Sequence, residues 1–180
     1  MIYKKSWKYI LTRDDSYWCR RFNLYRLKSL KDFSDVHKND IGGYIKGFYN
    51  LSREGNCWIY DDAIVHEDAI ITENAIVSGH TLICGKVQIY GNAQVSKGAT
   101  VRGHAVVKDN AKIYEHAKVS GKAVVCDDAE VFNFAVVNGC TVVKENAKIS
   151  GEATIVTGNS KVFGNAKICN IKVSNKIISK

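Results

Sequence analysis

Residues 93–125 read AQVSKGATVRGHAVVKDNAKIYEHAKVSGKAVV. A small residue returns at every sixth position, at Ala93, Ala99, Ala105, Ala111, Ala117 and Ala123. Two places after each stands an aliphatic one: Val95, Val101, Val107, Ile113, Val119 and Val125. Outward from this stretch the period holds back to Cys57/Ile59 and forward to Ala153/Ile155. An extra residue near Thr157, Gly158 and Asn159 then shifts the frame, which resumes with Ser160/Val162 and Ala166/Ile168. Self-similarity at so short and strict a period marks a solenoid, whose units bury an apolar face only by stacking on their neighbours.

Alternation along each small-x-aliphatic tripeptide sends the outer two side chains to one side and the middle one to the other. The outer pair point inward. Two places after the aliphatic residue comes Gly79, Gly85, Gly91, Gly103, Gly121, Gly139, Gly151 or Gly164, or else Asp61, Asp109, Asp127 or Asn133, with Lys97 or a glutamate elsewhere. Gly, Asn and Asp tolerate positive φ, so each hexad is expected to end in a tight bend. Short strands closed by short corners cannot lie flat when repeated this strictly, and the chain has to coil.

This frame resembles the hexapeptide repeat of left-handed parallel β-helices. The resemblance implies an all-β fold in which three hexads, about eighteen residues, close one triangular coil. About six coils would follow. One position departs from the family pattern: directly after the aliphatic residue stand Ser78, Tyr90, Lys108 and Cys126, where the family favours Gly, Ala, Glu or Asp. Corner geometry is therefore expected to differ. Three further segments, LYRLKSLKDF (24–33), NDIGGYI (39–45) and NLSREGNCWIYDDA (50–63), look like the N-terminal block of transferase-like hexapeptide-repeat proteins common in phages and prophages.

The 180 residues, 46% of them apolar, suffice for one domain. We divide it into a β-rich basic cap (1–50), the β-helix (51–170) and a tail or last partial coil (171–180). Cys19, Cys57, Cys84, Cys126, Cys140 and Cys169 form no C-x-x-C pair, and scattered thiols of this kind suit a reducing cytoplasm, the host's if the chain is phage-encoded. No stretch has the apolar length of a membrane span, so no membrane partner is expected, and the N-terminus is too polar for a signal peptide. In the cap, alternation predicts two or three short strands, with turns at Arg13-Asp14-Asp15-Ser16 and at Asp40-Ile41-Gly42-Gly43. The cap holds 11 Lys/Arg against 5 Asp/Glu, most of the chain's net charge of +8, interleaved with Trp7, Tyr9, Tyr17, Trp18, Phe22 and Tyr25. Such a surface has the composition of a nucleic-acid platform, although lysines at a strand edge also block strand addition.

If residues eighteen apart stack, the middle residues of the tripeptides form three outward columns. One, Ile76-Gln94-Lys112-Glu130-Lys148, is a solvent face. A second, Ile64-Leu82-Thr100-Lys118-Val136-Thr154, is mixed. The third, Ile70-Gln88-Val106-Val124-Val142, is nearly continuous aliphatic and is the candidate interface. The resemblance implies a homotrimer, whose closed symmetry would bury that stripe. The corner before this column carries Lys86, Arg102, His104 and Lys122, and the corner after it Tyr90, Asn92, Lys108 and Asn110, followed by Lys144 and Asn146. A trimer would bring one copy's first corner to a neighbour's second, making a cleft suited to a phosphate-bearing, nucleotide-like ligand.

Chemistry is the competing reading. Acyltransferases similar to this solenoid use a histidine at the subunit boundary as general base and take acetyl-CoA or another acyl-CoA. His66, His80, His104 and His116 are the candidates, and His104, among the cations, is the best placed. The repeat carries no extruded loop to shape an acceptor pocket. For zinc, His80 and His116 would stack two coils apart, roughly 9.6 Å, too far to share an ion. The expectation is therefore a non-catalytic trimeric binder without cofactor or metal, holding an anionic small molecule or docking on a host protein complex and acting in phage counter-defence. The acyl-CoA-dependent acyltransferase is the alternative.

Overall fold

A computed structural model describes residues 7–19 and 22–180. Arg20 and Arg21 lie outside these, as do the side chains of Asp14, Asp15, Ser16, Tyr17, Trp18, Cys19 and Phe22. The described fold is all-β: a hairpin, β1 (Tyr9–Cys19) and β2 (Phe22–Ser29), then β3 (Ile41–Ile45), then twenty-one strands of two or three residues from β4 (Trp58–Ile59) to β24 (Ile177–Ser179). The short strands stack in parallel into three sheets, one of ten strands that includes the hairpin and two of seven. No described helix is long and apolar enough to cross a membrane.

Residues eighteen apart pair directly, as in Gln88↔Val106↔Val124↔Val142 and Gln94↔Lys112↔Glu130↔Lys148. The winding follows from the sequence. Inward positions such as Ala105, Val107, Ala111 and Ile113 have no exposed surface, and each buried valine or isoleucine contributes on the order of 1.5–3 kcal/mol. At the corners, φ is positive every sixth residue from Asp61 (55°) through Asp109 (60°) to Glu145 (59°). Side chains bearing Cβ occupy many of these strained positions because the stacked strands fix the geometry on both sides.

The solenoid has about eight coils, two more than expected. One addition is at the top, where β3 pairs with Ile64–Val65 and Leu51 bridges to Ile71, making an incomplete first coil. The other is at the bottom, where 172–174 and 177–179 add strands to two of the sheets. Here the repeat shortens, Ile155 pairing with Lys172 and Lys161 with Ile177. The triangle therefore narrows, and Ile168 and Val173 stay 3% exposed at what would be an open mouth.

Three local expectations are corrected. The frame shift lies at Gly151–Ala153, one corner earlier than the sequence indicated: Val136 pairs with Ile155, so Thr154 and Val156 point inward and Ile155 outward. Both registers offer a small-x-aliphatic tripeptide, and the Thr154 hydroxyl resolves the choice by bonding to the Ser150 carbonyl. Arg13–Ser16 make no turn; β1 runs through them with a register shift between Thr12 and Tyr17. Gly42 and Gly43 sit inside β3, where a Cβ would come within 2.7 Å of the Trp58 ring and 2.4 Å of the Ala63 carbonyl oxygen.

The cap closes the top by replacing a missing coil. Each coil's carbonyls accept from the amides of the coil above, so the first carbonyls have no coil to bond. Side chains take that place. Lys8 Nζ donates to the Gly55 and Cys57 carbonyls at 3.1 and 2.6 Å, Tyr9 Oη to Leu51 at 2.5 Å, and Asn50 Nδ2 to Glu67 and Ala69 at 3.0 and 2.8 Å.

Candidate functional site

The chain passes from the ten-stranded face to the face of Ile70, then to the face of Ile76, and so turns three edges per coil. The first edge carries His66, Glu67 and Asp68, then Cys84, Gly85 and Lys86, Arg102, Gly103 and His104, and Ser120, Gly121 and Lys122. Lys86, Arg102, His104 and Lys122 are all exposed, and among the described residues none forms an ion pair. A cleft of about 410 Å³ opens at the upper end of this edge, lined by Lys46, Glu67, Asp68, Gly85, Lys86, Gly103 and His104. Gly85, Gly103, Gly121, Gly139 and Gly158 stack down the edge, each with positive φ. Only residues without Cβ let these corners come so close; a Cβ on Gly85 would lie 2.5 Å from the Gly103 carbonyl oxygen.

The second edge, at the other end of the Ile70 face, is built differently. Asn74, Asn92, Asn110 and Asp128 form a ladder of side-chain hydrogen bonds at 3.0–3.2 Å, each asparagine Nδ2 donating to the next Oδ1, and Asn146 donates to Asn165 likewise. Lys108 pairs with Asp109 at 2.9 Å and Lys144 with Glu145 at 2.6 Å. The Lys108 ammonium holds the Asp109 carboxyl below its usual range, and Asp109 raises the lysine in return. The carboxylates also brace the next coil, Glu73 accepting from Gly91 N, Asp127 from Glu145 N and Glu145 from Gly164 N. Asp109, Cys126 and Asp127 gather here with metal-ligating atoms, but the carboxylates already serve lysine and backbone, and burial pushes the Cys126 thiol up.

The eight residues expected to bind ligand therefore divide. Lys86, Arg102, His104 and Lys122 stand together on the first edge, and none has an ion-pair partner among the described residues. Tyr90, Asn92, Lys108 and Asn110 stand on the second, and the last three have partners inside the chain. The single chain does not bring the two sets together. Between them run Ile70, 41% exposed, and the half-buried Val106, Val124 and Val142. As a base, His104 lacks one requirement: among the described residues no side chain hydrogen-bonds its imidazole, whereas a general base is usually held by a third group.

The third edge holds a feature not foreseen from the sequence. Tyr114 stacks on Phe132 at 5.0 Å and His116 on Phe134 at 5.1 Å, with Lys97 over the Tyr114 ring. His116 and Phe134 both have positive φ, and Gly98 lies against the imidazole. Aromatic residues spaced by eighteen were the available signal. Beside this edge, Glu130 accepts from Lys148 at 2.7 Å and from Tyr114 at 2.8 Å, and the Lys148 bond above all holds its carboxyl below the ordinary value. A depressed folded value stabilises the fold above the unfolded value, about 4.3. That contribution is lost as pH falls through the folded value. Urea midpoints should thus drop on acidification below about pH 4, and less steeply in Glu130→Gln.

Compared with known proteins, the chain matches no family model and no curated sequence.

Proposed function

We propose that this chain is a non-catalytic trimeric binding protein that holds an anionic, nucleotide-like ligand, or a charged partner surface, in clefts along its first edge. One observation carries the reading. The lysines of the second edge are neutralised by the next residue in the chain, while Lys86, Arg102 and Lys122 on the first edge have no counter-ion within ion-pair distance among the described residues. Lys86 and Lys122 stand two coils apart, roughly 9.6 Å, with Arg102 on the coil between; like charges so placed repel one another, and an anion relieves that repulsion. The aliphatic column beside the edge supports closure into a trimer, in which a neighbour's second edge would complete each cleft. The hexapeptide-repeat β-helix is the family this geometry fits best. In a phage setting, which rests on resemblance alone, such a protein would sequester a defence signal or block a host complex.

Thermal shift against cyclic dinucleotides, ADP-ribose derivatives, acetyl-CoA and short single-stranded nucleic acid tests the reading. A ligand at a hundred times its dissociation constant stabilises by about 2.7 kcal/mol, a readily visible shift. Stabilisation by a nucleotide recovered unchanged, weakened in Lys86→Ala, supports the binder. Acetyl-CoA stabilisation with thiol release that disappears in His104→Ala would replace it with the acyltransferase. For the interface, Val124→Glu is expected to turn the trimer into monomer in light scattering. A trimer that survives the change would place the contact elsewhere.

A further inference from the structure

The first edge does not stop at the solenoid. Offsets of twenty residues at both Ile45↔Val65 and Leu51↔Ile71 set the segment 46–50, with its 3-10 turn Phe48–Asn50, above 66–70. From there the eighteen-residue offset continues through Lys86, His104 and Lys122. A second cleft, about 380 Å³, lies at this upper level between cap and coil, lined by Leu11, Arg13, Tyr25, Lys46, Gly47 and Phe48. Lys46 lines both clefts, so the two adjoin and are taken together as one groove.

Taken coil by coil, the chemistry of this groove changes in a fixed order. The top level offers Leu11, Tyr25 and Phe48, the last 38% exposed, with the cations Arg13 and Lys46 beside them. One coil lower, about 4.8 Å, stand the carboxylates of Glu67 and Asp68. The next two levels carry Lys86 and His104, about 5 and 10 Å below Asp68. An apolar end, a hydrogen-bond-donating middle and an anionic end follow in the same order along a nucleotide.

We infer that the groove binds a nucleoside diphosphate lengthwise. The base lies against Tyr25, Leu11 and Phe48, the ribose hydroxyls donate to Glu67 and Asp68, and the phosphates reach Lys86 and His104. The inference rests on the anion-binding reading of this edge and adds a polarity, a sugar contact and a role for the cap. The two carboxylates are what make it specific. They repel an inorganic anion from the upper groove and reward a ligand that brings hydroxyl donors there. A ligand bearing only phosphate would gain from the cations and leave Leu11, Tyr25 and Phe48 without contact.

Calorimetric titration with ADP, 2′,3′-dideoxy-ADP and pyrophosphate tests this on the full chain. ADP is expected to bind at least about tenfold more tightly than either of the others. Asp68→Asn, an exposed change, should erase most of the preference for ADP over the dideoxy compound. Lys86→Ala should weaken all three by a similar factor. Equal binding of ADP and the dideoxy compound, or a preference untouched by Asp68→Asn, overturns the ribose contact. If pyrophosphate still binds through Lys86 in that case, the anion-binding reading stands without it. Failure of both ADP and pyrophosphate to bind overturns the two together.

Discussion

Asn50→Leu is expected to destabilise the chain by about 4 kcal/mol, the sum of several buried polar groups left without partners at roughly 1–3 kcal/mol each. Asn50 is fully buried and makes four bonds. Its Nδ2 donates to the Glu67 and Ala69 carbonyls, and its Oδ1 accepts from the Lys46 and Gly47 amides at 3.1 and 3.0 Å. Leucine has similar volume and can do none of this. The loss falls where no other coil is present to compensate. For a chain of this length the change corresponds to a fall of about 8–16 °C in Tm. Asn56→Leu, on an exposed neighbouring loop, should stay within about 0.5 kcal/mol of the parent. Equal denaturation midpoints for the two variants would mean that the solenoid does not depend on its cap.

That dependence explains what could be read in advance and what could not. The coil was legible because each inward position is buried by the same neighbours eighteen residues away, so Ala105 and Val107 repeat the constraint acting on Ala123 and Val125. Where two registers satisfy the same apolar pattern, the pattern is silent. Ala153/Ile155 and Thr154/Val156 are such a pair, and only the hydroxyl bond of Thr154 separates them. Bonds from Lys8, Tyr9 and Asn50 to carbonyls join residues with no periodic relation, so the cap could be expected but not its contacts.

The candidate site was half legible for a similar reason. Lys86, Arg102, His104 and Lys122 were visible as a cationic column. That Lys108 and Lys144 are neutralised was also available, since each is followed directly by an acid, Asp109 or Glu145, whereas Lys86 and Lys122 follow a glycine. Charge counted corner by corner, with near neighbours included, would have separated the two edges. The groove's upper end was not accessible this way. It depends on the offset of twenty in the first coil, which sets Phe48–Asn50 above the first corner of the next coil and has no repeat before it to betray it.

The glycines of the first edge carry the second large effect. Gly139→Val is expected to cost about 3–5 kcal/mol, because it combines a left-handed backbone with a collision that cannot relax. Gly139 has φ of 74°, and a Cβ there would lie 2.7 Å from both the nitrogen and the carbonyl oxygen of Gly158. These are backbone atoms of the next coil. Moving them breaks the bond from Cys140 N to Gly158 O, 2.7 Å long, which joins the coils at that corner. Asp127 on the second edge is the informative contrast, with a φ of 58° and a carboxylate that accepts from Glu145 N. Asp127→Gly should relieve backbone strain and lose that brace, leaving stability within about 1 kcal/mol of the parent. The same backbone conformation therefore demands an absent side chain on one edge and employs a present one on the other. Urea titration of the two variants separates the cases, and a Gly139→Val chain as stable as its parent would show that the first-edge coils are not packed backbone to backbone.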